Sequence, residues 1–160
     1  MVRFIVIIFS FLFMGCEMNN DRVVKPEKVT FDFIKFNAVS KAFNNAFVND
    51  SPDHKIMSDI IESWFQNKIK TDGFEGDLLV IVKNIEFERE KKQDYYKFSV
   101  SLSLEFIEQL STNTKNNYIV SANEYGEITG SFSIKDQDTL DLNLMNQSLN
   151  AVSLKLRERF

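Results

Sequence analysis

Tyr96, Phe98, Val100, Leu102, Leu104 and Phe106 are separated one by one by Lys97, Ser99, Ser101, Ser103 and Glu105. Successive side chains of a β-strand point to opposite faces, so this alternation predicts a strand with one dry face and one wet face. A sheet built around such a strand needs a covering layer on its dry side only. The chain must therefore supply amphipathic helices to cover that side.

Two segments qualify. Over residues 52 to about 70, Met57, Ile60, Ile61, Trp64, Phe65 and Ile69 recur at spacings of three and four and form one apolar stripe. Ser51 suits the N-cap, Pro52 the first helical position, and Asp53 the positive end of the helix dipole. Gly73 is expected as a left-handed stop. Near the C-terminus Leu142, Met145, Leu149, Val152 and Leu156 repeat at three and four, with Lys155, Arg157 and Arg159 in the last turns. Asp136, Asp138 and Asp141 are expected to precede this helix.

The remaining strands follow from shorter patterns. Val29, Phe31 and Phe33 alternate with Thr30 and Asp32, with Ile34 and Phe36 on the second face. Residues 37–50 read as a loop with a possible short helix, because Phe43 and Phe47 are four apart while Asn44, Asn45 and Asn49 oppose helix. Residues 78–87 predict a central strand covered on both faces, with Leu78, Val80 and Val82 on one and Leu79, Ile81 and Ile85 on the other. Residues 88–94 predict a solvated turn. A last strand starts at Tyr118, bends at Tyr125-Gly126-Glu127 and continues through Ile128, Phe132 and Ile134. The predicted class is α+β: a mainly antiparallel four-stranded sheet with two helices packed on one face, in the order β-α-β-β-β-α.

The beginning of the chain is different. Arg3 precedes a nearly unbroken apolar run, residues 5–14, which ends at Gly15 and Cys16, the single cysteine. Ten residues are too few for a bilayer span, which needs about 20, and a short apolar run behind a basic start has the shape of a signal peptide. Residues 17–28 are polar, contain Pro26 and show no period, as a tether would. The division is signal peptide 1–15, lipidated N-terminus and tether 16–28, and one α+β domain 29–160. A reactive or buried thiol, or an uncleaved anchor, is the alternative; a lone cysteine has no partner within the chain for a disulfide.

Phe13-Met14-Gly15-Cys16 resembles the lipobox of bacterial lipoproteins. The resemblance implies cleavage between Gly15 and Cys16 and a diacylglycerol on the Cys16 thiol, with an N-acyl lipid on the new terminus. It implies a protein anchored in the cell membrane or outer membrane, with its domain in the periplasm. The whole layout, including "SPDHKIMSDIIESWFQNKIKTDGFEGDLLVIVKN" and "LNLMNQSLNAVSLKLRERF", resembles small alphaproteobacterial envelope lipoproteins. More loosely it is similar to auxiliary lipoproteins of ABC-type lipid transport systems and to LptE-like lipopolysaccharide-assembly lipoproteins. These families imply a non-catalytic accessory or docking role in an envelope complex.

The residues themselves carry little chemistry. Without residues 1–15 the chain has 18 basic and 23 acidic side chains, a balance of -5, which argues against a nucleic-acid partner. His54 is the only histidine, too few for a zinc site or a triad. Asp136, Asp138 and Asp141 fail as a calcium loop, because Leu140 stands where an oxygen ligand belongs and Asp141 replaces the glycine. No metal and no further cofactor are expected. Glu62, Glu86, Glu88 and Glu105 could pair as the carboxylates of an envelope glycan hydrolase. Phe43, Phe47, Trp64 and Phe65 are the candidate lining of a partner or acyl-chain groove, to which Phe74, Tyr95 and Tyr96 could also contribute, and this leaves a lipid carrier as an alternative function. Core packing is the ordinary use of such aromatics.

Overall fold

In the computed structural model the described residues are 33–45, 50–111 and 114–159. Cys16, Gly15, the tether, the alternation at Val29 and Phe31, and Phe47 lie outside them. The elements in chain order are β1 (Ile34–Phe36), β2 (Ser40–Asn44), α1 (Pro52–Lys68), β3 (Ile69–Thr71), β4 (Asp77–Lys92), β5 (Tyr95–Gln109), β6 (Lys115–Thr129) and α2 (Ile134–Arg159). The main sheet has four strands in the order β2-β4-β5-β6. Its β4-β5 and β5-β6 pairs are antiparallel, while β2 joins β4 in parallel. The class is the α+β arrangement that the patterning predicts, with both helices over one face.

β5 sits at the centre. Phe98, Val100, Leu102, Leu104 and Phe106 are all 0% exposed, and Tyr96 is nearly so. Burying a side chain of this size contributes about 1.5–3 kcal/mol. Over them lie Met57, Ile61 and Phe65 from α1 and Leu144, Met145, Leu149, Val152 and Leu156 from α2. The two helices meet through the Trp64 indole, whose N–H donates to the Ser153 hydroxyl at 2.9 Å.

α1 starts as its sequence predicts. The Ser51 hydroxyl accepts the His54 N–H, and Pro52 opens the helix. Its end differs from expectation. Ile69 turns extended, so the helix stops at Lys68 and continues directly into β3. Lys41 meets the carbonyls at this end: its ammonium donates at 2.7–3.2 Å to Gln66 O, to Ile69 O and to Phe65 O, which also accepts the Ile69 N–H. Burial, and then the charge of Lys70, lower the pKa of Lys41. Gly73 is no left-handed stop: a Cβ there would lie 2.5 Å from the Ala38 nitrogen, so the residue permits close approach of two backbones.

Six further expectations change. Residues 40–44 are strand rather than loop or helix, because pairing with β4 places Lys41 at the α1 terminus and Phe43 against Phe65. β4 bulges between Val82 and Asn84, which moves Ile85 onto the buried face with Val80 and Val82. Leu79 and Ile81 stay half-buried on a face that neither α1 nor α2 covers. The charged run after Phe87 remains strand to Lys92. β6 runs through Gly126 to Thr129 unbroken, since glycine there makes room for α2: a Cβ would lie 2.9 Å from Leu140 Cδ1. α2 begins at Ile134, so Asp136, Asp138 and Asp141 are inside it. Asp136 and Ser133 cap it reciprocally, and those hydrogen bonds lower the carboxyl pKa of Asp136.

Candidate functional site

Phe43 and Phe65 meet, with ring centroids 5.4 Å apart and Lys41 4.7 Å from the Phe65 ring. Phe65 is buried and Phe43 half-buried against it. Trp64 turns to the other flank of α1, toward α2. There a shallow groove of about 370 Å³ runs between the helices, with Ile60, Trp64 and Leu149 as floor and Asp59, Ser63, Asn67, Lys68 and Asn146 as a polar rim. The structure thus brings two of the four candidate aromatics together and sends the third elsewhere.

The most concentrated polar chemistry is a cluster at the far end of the covered face. Arg89 of β4 donates from Nε and Nη2 to Asp141 Oδ2 at 3.1 and 2.8 Å, and from Nη1 to Asp53 at 2.8 Å. Tyr96 donates its hydroxyl to Asp141 at 2.8 Å, and the guanidinium lies 4.6 Å from the Phe98 ring. One cation therefore ties both helices to β4 and β5. Burial alone would lower the Arg89 pKa, but hydrogen bonds to Asp53, Asp141 and Tyr96 outweigh it and hold the charge. Burial and the bond to Asp141 push the Tyr96 hydroxyl up to about 12. Every charge in the cluster is partnered, which is the arrangement of a structural clasp.

His54 stands beside the cluster. Its Nε2 lies 3.2 Å from Ile85 O, and a carbonyl only accepts, so Nε2 carries the proton. In the neutral ring Nδ1 then accepts from the Ser51 hydroxyl. The ring also sits edge-on to Phe87 at 4.9 Å. A serine donating to a neutral histidine is the first half of a nucleophile–base pair. Here, however, the base nitrogen is Nδ1, Nε2 is spent on a backbone carbonyl, and Ser51 also caps α1. Neither groove described in this subsection is lined by the pair.

Glu86, Glu88 and Glu105 share the uncovered face, opposite Ser101, Ser99 and Ile81. Glu105 accepts from Asn117 and pairs with Lys83, and these bonds lower its pKa. A glycosidic general acid needs the opposite shift. Among the described residues no group of three His, Cys, Asp or Glu could hold a metal ion. None of the helices described is long and apolar enough to cross a membrane.

Two further features lie on the surface. Phe74 is 98% exposed at the tip of the loop between β3 and β4. That loop is bonded to the neighbouring one, Gly73 N–H to Ala38 O and Val39 N–H to Gly76 O, so exposed Val39 stands beside it. Asp72, Glu75 and Asp77 flank the tip in sequence, Asp72 paired with Lys35 and Asp77 accepting from Ser40. The second feature is a groove of about 460 Å³ between β6 and the end of α2, bordered by Ile119, Val120, Ser121, Lys155, Glu158 and Arg159.

No protein-family model matches the chain, and no curated protein matches it. Among solved structures, a minor lipoprotein from Acinetobacter baumannii aligns at 8% identity and a TM-score of 0.43, over 81% of this chain and 96% of that one. Rare lipoprotein B from Shewanella oneidensis aligns at 9% identity and a TM-score of 0.40, over 75% of this chain and 92% of that one. Both are bacterial lipoproteins; at these values the likeness assigns no role to any residue here.

Proposed function

We propose that the protein is a lipid-anchored extracytoplasmic lipoprotein that serves as a non-catalytic accessory or docking component of an envelope complex handling lipid or outer-membrane material. The observation that carries the reading is the apolar run that ends at the single cysteine, Cys16, and gives way to a polar tether. Two acyl chains or more hold a protein stably at a bilayer where one does not. The polar cluster fits a non-catalytic reading, because Arg89, Asp53, Asp141 and Tyr96 satisfy one another as a structural clasp.

A docking protein needs an exposed apolar contact. Phe43 is committed to Phe65, so in this reading Phe74 and Val39 supply the anchor and the acidic residues around them its rim. The test is a photo-crosslinking side chain at position 74 of the full-length protein in its own membrane. Crosslinks to a transporter or assembly subunit support docking. Phospholipid adducts without protein adducts favour the lipid-carrier reading, for which the groove over Ile60, Trp64 and Leu149 is the place to look. Absence of both contradicts the proposal.

A further inference from the structure

The two edges of the main sheet are unlike. On one side, β4 beyond β2 is guarded: His54 binds Ile85 O, and Glu88, Arg89, Glu90, Lys91 and Lys92 follow. Charged side chains and a covering element are ordinary protections of an edge. On the other side, β6 presents 15 residues without proline or bulge, and among the described residues no strand pairs with its outer edge.

The direction of its free groups is fixed by one bond. Lys155 donates to Ser121 O, so that carbonyl points away from β5. Backbone groups in an antiparallel ladder alternate in direction. The odd-numbered residues of β6 therefore offer their N–H and C=O outward, and their side chains stand on the uncovered face. Two of these, Ile119 and Tyr125, are exposed large apolar side chains, at 58% and 71%. Lys97 lies 5.7 Å from the Tyr125 ring.

We infer that the outer edge of β6 is an interface for a second copy of this chain, which joins two four-stranded sheets into one antiparallel sheet across a two-fold axis at Ala122. Ala122 is the midpoint of β6, so this register gives the longest overlap of the two strands. The same register sets Ile119 opposite Tyr125 of the other copy, twice by symmetry, and Ser121 opposite Asn123. It also places Lys115 diagonal to Glu127. Aromatic–β-branched and opposite-charge neighbours are the pairs that stabilise antiparallel strands. The interface is isologous and closes at two copies. The groove between β6 and α2 leaves room beside the edge, and Lys155 must release Ser121 O for the new strand to bond. This inference is independent of the lipid anchor and of Phe74.

The experiment uses the full-length protein in membranes, co-expressed in two versions of different mass, with a photo-crosslinking side chain replacing Tyr125. The expected product is a two-copy adduct whose crosslinked peptide contains residues 117–121 of the other version. Placing the crosslinker at Tyr125 and substituting Ile119→Asp lowers its yield about tenfold, since symmetry repeats each lost pair. Lys155→Met raises it. Lys115→Glu and Glu127→Lys each lower it roughly twofold to fivefold, and together restore it. Circular dichroism of each variant confirms that the fold is kept. Adducts confined to one copy, adducts only to another protein, or a two-copy adduct indifferent to all four substitutions would overturn the inference.

Discussion

The two faces of β5 differ more than their shared backbone suggests. Even-numbered residues from Phe98 to Phe106 are fully sealed under two helices, while Ser99, Ser101 and Ser103 stay half-exposed on a face that no described element covers. On the open face the contacts are local ones, such as the Ser103–Ser121 hydroxyl pair at 2.7 Å and the Lys83–Glu105 ion pair at 3.1 Å. On the covered face they join elements distant in the chain: Phe36 stacks on Phe106, and Arg89 binds Asp53 and Asp141. The difference teaches that stability is concentrated on one side of the sheet, leaving the other side and its β6 edge available for contact without weakening the core.

Substitutions on the two faces can break that contrast. Leu102→Ala removes a fully buried side chain from the centre of the core and should cost about 2–5 kcal/mol. Ser101→Ala, one residue away on the open face, should stay within about 0.5 kcal/mol. Equal losses in denaturant unfolding would mean that the faces are not energetically distinct. At the polar end of the covered face, Asp141→Ala leaves Arg89 with Asp53 and the Tyr96 oxygen, and removes the acceptor of the Tyr96 O–H. A loss of about 3 kcal/mol is expected, at the low end for broken buried pairs because Arg89 is partly open to water.

Tyr96→Phe sharpens the contrast through pH. It should cost about 1–2 kcal/mol near neutrality, from the lost bond to Asp141. The folded hydroxyl titrates at about 12 and the unfolded one near ~10. An acid that holds its proton more tightly when folded contributes stability below its unfolded pKa and loses it as pH rises through its folded pKa. Wild-type stability should therefore fall between these values more steeply than that of Tyr96→Phe. Parallel curves for the two proteins over that window would show that Tyr96 is not held by burial and Asp141.

How far the sequence discloses this arrangement depends on how locally each feature is encoded. β5 is legible because six apolar residues alternate without interruption, and α1 because its cap, its Pro52 and its stripe agree. β2 is illegible because its five residues form a strand only through a parallel partner 37 positions away, Ser40 opposite Asp77. The bulge after Val82 has no local signal, so Ile85 is assigned to the wrong face. Arg89 hides in a charged run that reads as solvated, yet Ile85, Phe87 and Arg89 continue one period-two row once the bulge is known. Asp141 had a usable signal: it lies on the same helical stripe as Met145, Ser148, Leu149 and Val152, all buried. A carboxylate on such a stripe requires a cation, and its place near a presumed helix start concealed that need. Phe74 is legible only as one more aromatic that could line a groove, because no periodicity marks a side chain left outside at a loop tip.

The account depends most on the chain being held at a membrane by Cys16. The direct measurement is the intact mass of the protein recovered from membranes, paired with fractionation of wild type and Cys16→Ala. The predicted wild-type product begins at Cys16 and carries diacylglycerol and an N-acyl chain, and it stays with the membrane in high salt. The Cys16→Ala protein should retain residues 1–15 and lack the lipid mass. An unmodified wild-type chain that remains freely soluble would contradict the account.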